Sequence, residues 1–439
     1  MKGLTQWYFV LCLLLLSFNC HVDCSLSSFS SNSASLEVVL MSNNNFVGEI
    51  PSSICNLMSI SVLDLSNNEL SGAIPDCLGS RGKMPNLSVL DLHMNKFHGN
   101  IPDSFVVGNT LEILNLNNND FDGPVPKSLV NCNDLEVLNL GNNKINDTFP
   151  HWLGTLPQLQ VLVLRFNYFH GRISPSENES HFSALRILDL SHNEFSGLLP
   201  TTYLKSFSGM MNLSNVQRTS MDILNPSYHF SVLVTMKGRD RVLERIQTLF
   251  TTIDMSSNKF HGKIPEIVGN LISLQVLNFS HNSLTGHIPS SMGKLTALES
   301  LDLSTNKLVG EIPMQLNGLE FLEVLNLSQN QLVGLIPLGN QFNTFLNDSY
   351  GGNLGLCGFP VSKRCGKDEE QEPPESAFHE EGIYSCPLDW KFVMMGYGCG
   401  LVLGLSTGYI MLTIGKPEWL VRMVQRLGYK ILRRLKSYH

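Results

Sequence analysis

Basic residues are scarce in this chain: its 439 residues include 30 lysines and arginines against 38 acids, for a formal net charge of −8. Phosphate binding needs clustered Lys and Arg, so this balance excludes nucleic acid as a partner. Only the last stretch, from residue 415 on, is basic. Charge of either sign is thin, at 15% of residues, but 43% are hydrophobic, which excludes a disordered chain. The chain has no paired CxxC for a zinc site. It also lacks the kinase set of glycine-rich loop, VAIK, HRD and DFG, and any convergent His, Asp and Ser constellation. The sequence therefore reads as no enzyme, with no catalytic residue, metal or cofactor to assign. Scattered histidines such as His98, His170 and His261 fall near turns and are expected in solvent.

What is present begins with an apolar run, Tyr8 to Phe18, behind a single early lysine. It is too short to span a bilayer and fits a secretory signal over residues 1–24, with cleavage before Ser25. An oxidising destination lets cysteines pair. Of the ten, Cys55 and Cys77 lie in adjacent units of the pattern described next, and Cys357 and Cys365 close a short segment beyond it. Those two disulfides are expected. Cys20, Cys24, Cys132 and Cys386 remain unassigned.

Most of the chain repeats itself with a 24-residue period, as in "LEVLNLGNNKINDTFP", "LESLDLSTNKLVGEIP" and "LEVLNLSQNQLVGLIP". The pattern is LxxLxLxxNxL followed by GxIP. Eleven asparagines mark the units: Asn44, Asn68, Asn95, Asn119, Asn143, Asn167, Asn193, Asn258, Asn282, Asn306 and Asn330. A strand over xxLxLxx sends its leucines inward and the intervening residues outward. The asparagine can pair backbone groups that the following turn would bury, and the glycine lets the chain bend. One coil cannot bury its apolar face alone, so coils must stack. The expected fold is an α/β solenoid: a curved leucine-rich-repeat array with a concave parallel β-sheet, followed by a single transmembrane α-helix.

The intervals divide the chain further. Residues 25–35 form a short, reduced cap, residues 36–200 hold repeats one to seven, and residues 249–337 hold repeats eight to eleven. Between them, 201–248 is a non-repetitive island in which Tyr228 to Gly238 alternates like a strand. Residues 338–366 read as a C-terminal cap with a disulfide, and 367–389 as an acidic linker with too little apolar surface to order itself. The segment 390–414 holds Phe392 to Ile414, a run without charge and long enough to cross a bilayer, and ends near Trp390 and Trp419. The tail 415–439 is basic, which puts the repeats outside and the C-terminus in the cytosol. Gly396, Gly400, Gly404 and Gly408 fall on one helix face as overlapping GxxxG motifs, a stripe suited to helix association in lipid.

The repeat consensus, an island four repeats from the end, the cap "GNLGLCGFP", the acidic stretch and the "GYGCGLVLG" helix together resemble plant leucine-rich-repeat receptor-like proteins, notably the Cf class of disease-resistance receptors. The resemblance implies a kinase-less, single-pass type I receptor of the plasma membrane that detects a pathogen-derived peptide or protein ligand and signals in plant defence and innate immunity. It implies an adaptor receptor-like kinase paired through Gly396, Gly400, Gly404 and Gly408, and a ligand-induced co-receptor kinase at the last four repeats. Such receptors generally carry many more repeats and a cap with paired cysteines, both of which this chain lacks. A truncated decoy that binds adaptor kinases without sensing, or a binding protein like the polygalacturonase inhibitors, are the alternatives.

Most units place Asp, Asn and Ser at the outward strand positions. Repeat six departs with Val163, Arg165 and Phe166, and repeat three with His93 and Met94. An exposed aromatic beside an arginine has the composition of an interface hot spot. A concave ligand patch centred on repeat six and extended by His192 is therefore expected, against the alternative of drifted surface positions. Seven sequons, at Asn86, Asn146, Asn178, Asn212, Asn278, Asn326 and Asn347, fit a glycosylated surface. A glycan on Asn278 or Asn326 would project from the concave face.

Overall fold

The computed structural model describes residues 36–79, 84–174, 182–211, 232–236, 239–243 and 250–365. Each repeat contributes one three-residue strand to an eleven-stranded sheet that runs from Val38–Leu40 to Val324–Asn326 in chain order. Every pairing in it is parallel, and equivalent residues face each other, as in Val161↔Val137 and Val161↔Ile187. The leucines of LxLxL point away from this sheet and, with the Ile of GxIP and the apolar residue of the 3-10 turn, fill one continuous core.

Two side-chain ladders hold the coils in register. Asn143 donates from Nδ2 to the Leu140, Gly141 and Leu116 carbonyls, and its Oδ1 accepts the Phe121 N–H. Its equivalents repeat this pattern along the array, so one amide satisfies backbone groups of two coils at once. Beside it runs a spine in which Phe97 stacks on Phe121, and Phe169, Phe195 and Phe260 stack in turn, all without exposed surface. Gly310 shows why the turn needs glycine. Its φ is +83°, and a Cβ there would meet the His287 ring of the preceding repeat.

The insertion is expelled without breaking the sheet. Ile187–Asp189 pairs directly with Thr252–Asp254, and the asparagine ladder crosses the gap through Asn258 Nδ2 to the Leu190 carbonyl. The coil of repeat seven reaches past residue 201, where the island was expected to begin. Short helices Thr201–Ser206 and Ser208–Met211 bury Tyr203, Leu204, Phe207 and Met210 in the core, and the Met210 carbonyl accepts the Ser273 N–H of repeat eight. Within the island, Val232–Met236 and Arg239–Leu243 pair antiparallel as a hairpin.

The C-terminal cap opens with a twelfth, degenerate coil that the leucine spacing does not reveal. Asn353 continues the asparagine ladder, donating to the Leu327 and Tyr350 carbonyls and accepting the Leu332 N–H. The strand Gly355–Cys357 pairs parallel with Gln331–Leu335. Cys357 is bonded to Cys365, and Cys55 to Cys77 between the first two coils. Cys132 is a buried free thiol. Among the described residues no helix is long and apolar enough to cross a membrane. The signal segment, the linker, the 390–414 span with its four glycines and the basic tail all lie outside the described residues.

Candidate functional site

The concave face is built in columns, because each outward position of the strand recurs one strand over at about 4.8 Å. One column is apolar. Val62, Val89, Val137, Val161, Ile187 and Val276 pack sideways on one another and are almost fully buried although they point outward. The next column holds Asp64, Asp91, Asn115, Asn139, Val163, Asp189, Asp254, Asn278, Asp302 and Asn326, and the one after it is mostly serine. Each Asp or Asn accepts the N–H two residues on, as in Ser191 N to Asp189 Oδ1 and Ser256 N to Asp254 Oδ1. Where an Asn follows an Asp, its amide also crosses to the acid of the preceding repeat: Asn115 to Asp91, Asn278 to Asp254 and Asn326 to Asp302.

This ladder corrects the expected surface patch. Val163 and Arg165, read as exposed, are 1% and 4% exposed. Val163 joins the apolar column. Arg165 lies back over repeat five, where Gly141 leaves room: a Cβ on Gly141 would stand 3.0 Å from Arg165 Cγ. Its guanidinium reaches forward to Asp189, with Nη1 3.7 Å from Oδ2, and sits 4.9 Å from the Phe166 ring centroid. The outward rim is what remains on the surface. Phe166 is 39% exposed, stacks on the exposed His192 at 3.9 Å between ring centroids, and lies near Tyr168, an exposed residue that composition alone did not single out. Phe166 and His192 both hold positive φ, at 50° and 52°, a region that suits Asn better than an aromatic.

His93 and Met94 stand three strands away from this rim, about 14 Å along the sheet. Met94 is exposed at 44%, but His93 turns inward, its Nδ1 2.6 Å from Asp91 Oδ1. Burial works against the charged imidazole, yet the Asp91 and Asp64 carboxylates hold its pKa above the ordinary value. The two basic residues of this column therefore share one cause. Asp follows Asp at just two steps of the acidic column, Asp64↔Asp91 and Asp189↔Asp254, and His93 and Arg165 lie against those steps. Asp64, Asp189 and Asp254 are all raised, by burial first, and Asp254 to about 7.

The sequons divide by the same geometry. Asn86, Asn146 and Asn347 are exposed, whereas the amides of Asn278 and Asn326 are spent on Asp254 and Asp302; Asn178 and Asn212 lie outside the described residues. Glycopeptide mass spectrometry of plant-expressed chain is expected to find glycans on Asn86, Asn146 and Asn347 and bare asparagine at 278 and 326. An occupied Asn278 would show that the amide ladder is not kept there.

Two patterns described as leucine-rich repeat match the chain, one at residues 109–169 and 250–308, the other at 35–57, 59–80, 86–106, 184–205 and 321–343. Receptor-like proteins 9DC3 and Cf-9 of Solanum pimpinellifolium are 53% and 52% identical over 270 residues, 61% of this chain and 31% of each relative. Receptor-like protein 34 of Arabidopsis thaliana is 52% identical over 266 residues, covering 59% of this chain and 27% of the relative. The chain thus spans about a third of the length of the curated relatives it matches. Among solved structures, a TDR receptor shares the fold with a TM-score of 0.55 at 24% identity, covering 72% of this chain and 50% of that one. The ectodomain of the Arabidopsis receptor kinase HAESA, solved with an IDA peptide hormone ligand, aligns at 28% identity and a TM-score of 0.51 over 79% of this chain and 58% of that one. The chain belongs to the leucine-rich-repeat proteins, and over 270 residues it is similar to plant receptor-like proteins of the Cf class.

Proposed function

We propose that this chain is a cell-surface receptor-like protein without a kinase, which binds an extracellular peptide or protein and signals plant defence through a partner receptor kinase. The observation that carries this reading is the similarity to Cf-class receptors at 53% identity. An array of repeats like the one that holds a peptide hormone in the HAESA ectodomain supports the ligand class. The ligand surface in this reading is the concave rim of repeats six and seven, where Phe166, Tyr168 and His192 present aromatic area on a rigid sheet, with Met94 at its far end. Val163, Arg165 and His93 act behind that surface, by setting its packing and charge.

Signalling would pass through the 390–414 segment. In lipid, helices associate by close backbone approach, which Gly396, Gly400, Gly404 and Gly408 permit toward an adaptor receptor-like kinase. A ligand-recruited co-receptor kinase would stand against repeats eight to eleven. The receptor would lie in the plasma membrane with its N-terminus outside. The test is co-purification of full-length chain with receptor kinases from plant membranes, with all four glycines changed to leucine as the comparison. Association is expected for the wild type and about tenfold less for the variant. No kinase recovered with the wild type would overturn the receptor reading.

A further inference from the structure

The acidic column of the concave face has two acid–acid steps, and at the step between repeats seven and eight Asp189 faces a second acid in place of an amide. Elsewhere in repeats eight to eleven, Asp alternates with Asn, and each acid receives the amide of the next repeat. At the junction of repeats seven and eight the partners in register are Asp189 and Asp254, 2% and 4% exposed. Each already accepts its own turn N–H, from Ser191 and Ser256. Arg165 is the only full cation facing the pair among the described residues, and its single charge can balance one carboxylate. The other groups facing it are neutral or weakly basic: Val163 and His192 beside Asp189, and Asn278 beside Asp254, with Asp302 one repeat further on. Two buried carboxylates with one counter-charge lack one positive charge.

We infer that the Asp189 and Asp254 pair takes up one proton as the surroundings acidify toward the mildly acidic range, so that the seven–eight junction, where the island leaves the solenoid, is tightened by acid and loosened near neutrality.

The titration of the pair agrees. Burial raises Asp189 against the pull of Arg165, and burial together with the charge of Asp189 pushes Asp254 up to about 7. In the unfolded chain both would ionise near 3.8. Between that value and about 7 the folded chain holds more protons than the unfolded one, so stability falls as pH rises through this window and levels off above it. At the other acid–acid step the balance differs, because His93 bonds Asp91 directly at 2.6 Å, whereas Arg165 approaches Asp189 only to 3.7 Å.

The experiment is thermal unfolding of the full-length chain in mild detergent, followed by circular dichroism at pH 5.5 and 7.5. Asp254→Asn keeps an acceptor for Ser256 N–H and removes the second charge. The wild-type Tm is expected to be about 4 °C lower at pH 7.5 than at pH 5.5 through this pair. That part of the shift should vanish in Asp254→Asn and persist in Asp302→Asn, whose acid lies between two asparagines. A wild-type shift unchanged by Asp254→Asn would overturn the inference. Hydrogen exchange in the wild type, corrected for intrinsic rates, gives a reading free of any variant. Amides of 187–191 and 252–256 should lose protection between pH 5.5 and 7.5 relative to 300–304, and equal behaviour of the three segments would also overturn it.

Discussion

Replacing Asn143 by alanine is expected to lower the unfolding free energy by about 4 kcal/mol, as would the same change at its equivalents along the ladder. The side chain is 8% exposed and makes four hydrogen bonds: three donated, to the Leu116, Leu140 and Gly141 carbonyls, and one accepted from Phe121 N–H. The three carbonyls lie outside strands, and Phe121 closes the two-residue strand Asp120–Phe121. Alanine leaves the Phe121 N–H without its acceptor, at about 1–3 kcal/mol, and takes one of two donors from each carbonyl, since Leu116 keeps Asn119, Leu140 keeps Asn167 and Gly141 keeps the Asn118 N–H. Partial hydration of the gap offsets some of that. Because coils interact only with their neighbours, the loss should centre on repeats four to six and leave the twelfth coil protected. Urea unfolding with hydrogen exchange by segment would measure both features. A cost below about 1 kcal/mol would mean that the ladder is decoration on a fold held by its leucines alone.

That substitution tests the part of the structure the sequence spells most plainly. Leu, Asn and Gly recur because each faces a demand that repeats with every coil, and a demand made eleven times leaves eleven copies in the sequence. Legibility ends where a residue answers to its neighbour instead of to its own coil. Val163 looks like an outward strand residue, and it is one. Yet an outward position on a concave sheet has flanking side chains at about 4.8 Å on both sides, and there a β-branched residue is covered laterally. Arg165 looked like a hot spot because composition cannot show that Gly141, 24 residues earlier, lacks the Cβ that would exclude it. Asn353 carried a usable signal, since it follows Asn330 by 23 residues, but Gly355 stands where Leu332 follows Asn330 and the coil before it had lost its leucines.

The site was legible in the same partial way. Repeats three and six do depart together from the norm, and the reason is electrostatic. Each acid–acid step in the column between strands carries one basic residue beside it, His93 for Asp64 and Asp91, Arg165 for Asp189 and Asp254. Aligning the eleven units by column instead of by consensus would have shown this, since the two bases are the only ones in their column and the two acid–acid steps the only ones in theirs. The aromatic rim of Phe166, Tyr168 and His192 is then a separate feature, laid over an arginine that serves the interior.

Arg165→Met separates these two roles. If Arg165 were a surface contact, the change would alter ligand binding and leave stability within about 0.5 kcal/mol. Its burial argues otherwise. Methionine keeps the stem that lies over Gly141 and removes the guanidinium, which leaves Asp189 and Asp254 buried, in register and without a counter-charge. Breaking one side of a buried ion pair costs about 3–5 kcal/mol, and the 3.7 Å approach to Asp189 favours the lower end, so about 3 kcal/mol is expected at pH 7.5. The cost should also fall as pH falls, at a higher pH than it would for an ordinary carboxylate salt bridge. Both carboxylates already have raised pKa values, and removing the cation that holds Asp189 down raises them further. As pH falls to 5.5 the two acids protonate in the variant and the unbalanced charge disappears, so the deficit should shrink to about 1 kcal/mol. Denaturant titration of both chains at the two pH values measures it. A deficit that is large and constant with pH would place the role of Arg165 in packing against Phe166 and Val163; a negligible deficit at pH 7.5 would return it to the surface, with the ligand.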